Sequence, residues 1–265
     1  MNTSNVRKIG RTLRRLLLQA LVLTTIVFIG LAAWKFIAEK RETQNATTLQ
    51  KPTQTTAASQ GTETTAFVSP IDFTAQQREA KDTVAWLTID APQVKIDHPI
   101  VLGTDNQYYL THSPTGASLK YGSVFMDFRC HADFSDFFTV LYAHHIKAKP
   151  DLMFAPLVRM KKKAVFDAVT RGMLYTPGKS YEMQIFGVSV IEAESEIYMK
   201  LAVFAPAEKK ERIAALKKAA KHWREDIVIG NDDHIVMLST CSYDEGDTFK
   251  MERTVVLCKL VEIGS

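Results

Sequence analysis

Ile235-Val236-Met237-Leu238-Ser239-Thr240-Cys241 is an apolar run that turns polar and ends on a thiol. Four consecutive apolar residues have the pattern of a strand buried on both faces. A polar stretch from Ser242 to Glu252 follows, so the run predicts a rigid strand that delivers Cys241 to a loop. With Asp233 at its start, this strand covers Asp233–Thr240. Similar runs lie on either side of it. They are Val84–Ile89, Lys95–Ile100, Gly122–Phe128, Phe137–Ala143, Met173–Thr176, Tyr181–Ile191 and Arg253–Val261. They are short, apolar, and β-branched or aromatic, with turn residues such as Ala91-Pro92 between them. Eight such strands predict a mainly β fold with helices, either a closed barrel or a sandwich.

Two helices are expected among the strands. Asp72 to Lys81 reads as a short one. Ala207 to Arg224 sets Ile213, Leu216, Ala220 and Trp223 at helical spacing, which makes one apolar stripe that should pack on the strands. The lysines around that stripe read as a solvated face.

The 265 residues are 46% hydrophobic and 23% charged, which suits a packed core in one domain with accessory segments. The net charge of +4 is modest, and Arg7, Lys8, Arg11, Arg14 and Arg15 crowd the first fifteen positions. A nucleic-acid binder would carry its basic face on the folded domain instead. Leu16 to Trp34 has no charged residue and is long enough as a helix to nearly cross a hydrocarbon core of roughly 30 Å. Basic residues ahead of it predict a cytoplasmic N-terminus and an exported remainder. A signal peptide cleaved after Gly30-Leu31-Ala32 is the rival, but the apolar run is long for one. Nine threonines between Thr43 and Thr65, with no sustained apolar period, predict a flexible stalk. The expected organisation is a cytoplasmic segment at 1–15, a transmembrane anchor at 16–37, a stalk at 38–70 and a catalytic domain at 71–265. The corresponding location is the plasma membrane, single-pass, with the catalytic domain outside.

Three cysteines, Cys130, Cys241 and Cys258, cannot all pair, and none lies in a C-x-x-C. Zinc-ligand spacing is therefore missing. Cys258, inside Val255-Val256-Leu257-Cys258, reads as buried, and Cys130 as a packing thiol. Cys241 alone sits at a strand end, where a thiolate could be used. Of seven histidines, His144 stands out because the strand Phe138 to Ala143 delivers it much as another delivers Cys241. Imidazole can accept and return a proton near neutral pH. Arg253 opens the last strand and could favour thiolate or stabilise an oxyanion; taken alone, it reads more simply as a surface arginine.

Together these elements resemble the sortase family. Leu238-Ser239-Thr240-Cys241 is similar to its T-L-x-T-C signature, Leu141-Tyr142-Ala143-His144-His145 to its Y-G-H segment, and Arg253-Thr254-Val255-Val256 to its R-x-V-V strand. Asp82–Leu87, Asp105–Leu110, Gly122–Asp127 and the helix ahead of the cysteine strand resemble class B sortases. Ala143 stands where glycine is usual, and Met237 where threonine commonly opens the signature. There is no Asp-Pro-Trp-like lid segment, which argues against a class C pilin polymerase. The resemblance implies an eight-stranded sortase-type barrel and a cofactor-independent cysteine transpeptidase. Cys241 would be the nucleophile, His144 the general acid and base, and Arg253 the oxyanion and substrate holder. Asn106, Leu110, Tyr142, Ser239, Thr240, Tyr198 and Met199 would line the substrate groove. Partners would be a surface protein or pilin bearing a sorting motif, and an amine from a peptidoglycan cross-bridge or a pilin lysine. A papain-like protease would instead place its cysteine early, at a helix start. A surface adhesin or pilus subunit would be expected to end in a sorting motif and a hydrophobic tail, unlike Leu260 to Ser265.

Overall fold

The computed structural model describes residues 24–25, 27–38, 40, 69–199, 201, 205–242 and 251–264. The chain divides into two units, Met1–Asn45 and Ala46–Ser265. In the first, residues 27–38 are helical, and Phe28, Leu31, Trp34 and Phe36 are exposed. No helix among the described residues is long and apolar enough to cross a membrane. The whole basic segment, the first eight residues of the expected anchor and nearly all of the expected stalk lie outside the described residues.

In the second unit the apolar runs form β1 (Thr83–Ala91), β2 (Val94–Val101), β3 (Val124–Met126), β4 (Phe138–Tyr142), β5 (Arg171–Tyr175), β6 (Ser180–Glu192), β7 (Ala220–Trp223), β8 (Ile235–Ser242) and β9 (Glu252–Gly264). Their order is β5-β1-β2-β3-β4-β8-β9-β6-β7, and β5 also pairs with β6. That extra pairing closes eight of the strands into a barrel and leaves β7 appended to β6. The barrel choice over the sandwich therefore follows from one short strand, β5, which pairs with β1 through Met173–Tyr175 and with β6 through Arg171–Tyr175. Closure removes the exposed sheet edges that an open arrangement would leave.

Residues such as Leu87, Ile100, Met126, Val140, Leu238 and Val256 are essentially inaccessible in the main core. Every described side chain of β8 from Ile235 to Thr240 is buried, as its continuous apolar run requires. A smaller cluster of Ile71, Phe73 and Trp86 packs α1 (Phe73–Glu79) against β1. Asp72 caps that helix by accepting the Ala75 N–H at 2.9 Å. Cys258 is 0% exposed, as its apolar neighbours imply, and burial raises its thiol pKa. Cys130 is also in the core, and burial pushes its thiol up to about 12.

The expected helix at 207–224 is shorter in the structure. After α2 (Lys163–Ala168) and α3 (Glu196–Met199), α4 spans Pro206–Lys218, with Pro206 in its first turn and Glu208 reaching back to the Ala205 N–H at 3.4 Å. Leu216 is fully buried, but Ala220 and Trp223 belong to β7 rather than to the helical stripe. Gly187 opens the space that draws Trp223 onto the sheet. A Cβ there would lie 2.9 Å from the indole Cε3. Trp223 also meets Phe186 edge-on at 5.0 Å. Tertiary packing outweighs helical periodicity at this point. On α4 itself, Lys209 is not simply solvated, since its ammonium lies 4.6 Å from the Phe137 ring.

Candidate active site

Strand β8 lies between a parallel neighbour and an antiparallel one. Tyr142 of β4 is the partner of Ser239, and the ladder continues past the end of β4 through the Ala143 N–H, which donates to the Ser239 carbonyl at 3.3 Å. The Thr240 hydroxyl donates to the Ala143 carbonyl at 2.8 Å. One further step in this register aligns His144 with Cys241, because both pairs differ by 97 (239 − 142 and 241 − 144). On the other side, Cys241 and Arg253 are directly opposed residues of β8 and β9. Opposed residues in an antiparallel ladder share one face of the sheet. The backbone thus opposes Cys241 and Arg253 on β8 and β9, and brings His144 just past the end of the neighbouring β4. The Cys241 side chain and residues 243–250 of the following loop lie outside the described residues.

His144 is half-buried, and its Nε2–H donates to the Leu110 carbonyl at 2.9 Å. That carbonyl ends a short 3-10 turn, Tyr108–Leu110. It can stand where it does because of Gly122, which has φ +59 and over which the Tyr109 and Leu110 carbonyls lie directly. A Cβ at Gly122 would fall 2.6 Å from the Leu110 oxygen, and the left-handed backbone independently favours glycine. Leu110 was expected in a substrate groove; its carbonyl holds the imidazole.

The other expected groove residues are drawn into an internal network. Ser239 and Thr240 are each 1% exposed. The Ser239 hydroxyl bonds that of Tyr198 at 2.8 Å, and Tyr198 is itself buried on α3. Asn106 donates through Nδ2 to Asp127 at 2.9 Å and accepts the Phe128 N–H at 3.0 Å. The Tyr142 hydroxyl donates to Asp127 at 3.1 Å, and burial followed by the Asp127 charge raises its pKa. The Tyr142 and Tyr198 rings are 6.1 Å apart. Met199 belongs to α3, but its side chain lies outside the described residues.

Asp127 and Arg129 are absent from the sequence-based site. Asp127 ends the apolar run Val124-Phe125-Met126, and a carboxylate in that position was the signal available. Among the described residues, no group of three or more His, Cys, Asp or Glu could hold a metal ion.

No protein-family model matches the chain. It is similar to Sortase B of Listeria monocytogenes, 31% identical over 185 residues that make up 70% of this chain and 72% of that protein. The fold is similar to that of Clostridium perfringens sortase B, with a TM-score of 0.63 and 26% identity over 71% of this chain and 98% of that one. It is also similar to a Streptococcus pyogenes class B sortase involved in pilus biogenesis, with a TM-score of 0.61 and 28% identity over 72% and 98% of the two chains.

Proposed function

The chain belongs to the class B sortases, which are cysteine transpeptidases, and on that premise we propose that it cleaves a sorting motif after its threonine and passes the acyl group to an amine. Cys241 thiolate attacks the threonine carbonyl, and Arg253 stabilises the oxyanion. The C–N bond breaks, His144 protonates the departing amine, and a thioacyl enzyme remains. An acceptor amine then attacks that thioester, loses its proton to His144 and releases the thiolate. The Nε2–H bond to Leu110 assigns the proton exchange to Nδ1 of His144. The observation that supports this reading is the register, in which Cys241 and Arg253 are opposed on β8 and β9 while His144 follows the end of β4, the neighbour of β8, at the offset of that ladder.

The destination we propose is the cell wall, with a peptidoglycan cross-bridge as the amine. The pilus-related class B sortase among the similar structures favours a second reading, in which a pilin lysine is the acceptor. The uncharged run from Leu16 to Trp34 behind five basic residues supports a plasma-membrane anchor with the catalytic domain outside.

The test is transfer of a sorting-motif peptide to an amine. Cys241→Ala abolishes it while the fold survives. His144→Ala lowers it by roughly 100-fold or more, the usual worth of a general acid and base, and His145→Ala lowers it far less. Unchanged transfer by Cys241→Ala, or equal losses at the two histidines, contradicts the assignment.

A further inference from the structure

A buried carboxylate joins several segments behind the site. Asp127 is 0% exposed. Its Oδ1 accepts the Arg129 N–H at 3.0 Å and Arg129 Nε at 2.9 Å. Its Oδ2 accepts Arg129 Nη2 at 2.8 Å, Asn106 Nδ2 at 2.9 Å and the Tyr142 hydroxyl at 3.1 Å. A carboxylate facing only donors is ionised. Burial alone would raise its pKa, but hydrogen bonds and charge from Arg129 hold it below the usual carboxylate range.

Arg129 is not needed merely to bury this group, and its reach extends further. Nη2 also donates to the Tyr198 carbonyl at 2.7 Å, across 69 residues of sequence. Tyr198 is therefore held at both ends, by Arg129 on its backbone and by Ser239 on its hydroxyl. Ser239 lies two residues before Cys241. α3 has only four residues, and so short a helix does not hold itself. These two ties hold its Tyr198 end, beside the packing of Ile197 and Tyr198 in the core and the bond from Arg212 to the Glu196 carbonyl at 2.7 Å. The Arg129 side chain is 37% exposed, so its ion pair contributes less to global stability than its geometry suggests. What the guanidinium supplies is a fixed fork spanning a carboxylate and a carbonyl.

We propose that Asp127 and Arg129 are positioning residues that hold Tyr198 and α3 as one wall of the groove receiving the sorting peptide. This rests on the transpeptidase reading and adds a substrate-positioning device to it. The pair touches no reacting atom, so its effect falls on peptide binding rather than on bond breaking.

The experiment measures KM and kcat separately for transfer of a sorting-motif peptide to an amine, using the full chain. Arg129→Lys keeps the charge beside Asp127 but cannot fork to the Tyr198 carbonyl as well. Tyr198→Phe cuts the tie to Ser239. Each is expected to raise KM about tenfold, the order expected for one lost charge-assisted or buried hydrogen bond, with kcat and melting temperature little changed. The double variant raises KM by clearly less than the product of the single factors, because either cut loosens the same wall. A folded Arg129→Lys enzyme with wild-type KM, or factors that multiply, overturns the inference. Should Arg129→Lys fail to fold, Arg129→Gln, which keeps a donor beside Asp127 but not the fork to the Tyr198 carbonyl, takes its place with the same expected and overturning results. Wild-type enzyme that transfers no peptide overturns the transpeptidase reading itself, whereas active wild type with an unshifted KM in these variants overturns only the positioning role.

Discussion

Gly122→Ala puts a single methyl group against the support of the proposed general base. The new Cβ would start 2.6 Å from the Leu110 carbonyl oxygen. An ordinary C···O separation is about 3.3 Å or more, so the carbonyl must retreat by about 0.7 Å. His144 Nε2 lies 2.9 Å from that oxygen. A retreat directed away from the ring stretches the bond to about 3.6 Å, which is no longer a hydrogen bond. The bond is worth about 1.5–3 kcal/mol when the imidazole is charged, and charge on His144 develops during both proposed proton transfers. Transfer activity should therefore fall by roughly 10- to 100-fold, at about 1.4 kcal/mol per factor of ten. The φ of +59 adds a backbone cost of about 1–2 kcal/mol in stability. The assay is steady-state peptide transfer on protein whose melting temperature shows it folded at the assay temperature. A Gly122→Ala enzyme that loses stability but keeps wild-type kcat would refute the claim that Leu110 orients the imidazole.

Two further predictions concern the fold. Gly187→Ala sets a Cβ 2.9 Å from Trp223 Cε3 and 3.0 Å from Leu257 Cδ1, and should destabilise by about 1–3 kcal/mol in a denaturant titration; an unchanged midpoint would show that Trp223 does not depend on this gap. His98 is 8% exposed, and burial lowers its pKa from 6.5 to about 4 against the smaller opposing pull of Asp97. The unfolded chain then binds a proton that the folded chain refuses between those values, so stability is full above pH 6.5 and drops as pH falls toward 4, by about 3 kcal/mol in total. His98→Gln should flatten that part of the stability profile, and a profile identical to wild type would assign the acid sensitivity elsewhere.

The eight barrel strands were legible because each carries its own apolar period, and periodicity survives whatever the strand packs against. Closure was legible only through the sortase resemblance, since β5 pairing with both β1 and β6 depends on long-range geometry that no local run records. The run from 207 to 224 misled at its end because Ala220 and Trp223 complete a helical stripe, whereas the structure pairs both with β6 across a bulge, and the gap at Gly187, far away in sequence, admits the indole. His144 and Cys241 were readable as the ends of two apolar runs, and the structure makes those runs neighbours, with an offset of 97 between β4 and β8. Arg253 read as a surface residue from its own chemistry and entered the expected site only through the R-x-V-V resemblance; the structure sets it opposite Cys241. Asp127 and Arg129 stayed hidden, because a buried carboxylate paired with a partly exposed arginine and joined to Asn106, Tyr142 and Tyr198 leaves no spacing pattern. Nor did any spacing show that the hydroxyls of Ser239 and Thr240 bond Tyr198 and the Ala143 carbonyl.

The central claim is that Cys241 carries the acyl group. Incubating the protein with a sorting-motif peptide in the absence of amine, quenching in acid and mapping the mass of its peptides tests this directly. The account predicts a thioester adduct of the peptide's N-terminal portion on the fragment containing Cys241, discharged when an amine is added. An adduct on Cys130 or Cys258 instead, or turnover in Cys241→Ala protein, would contradict it.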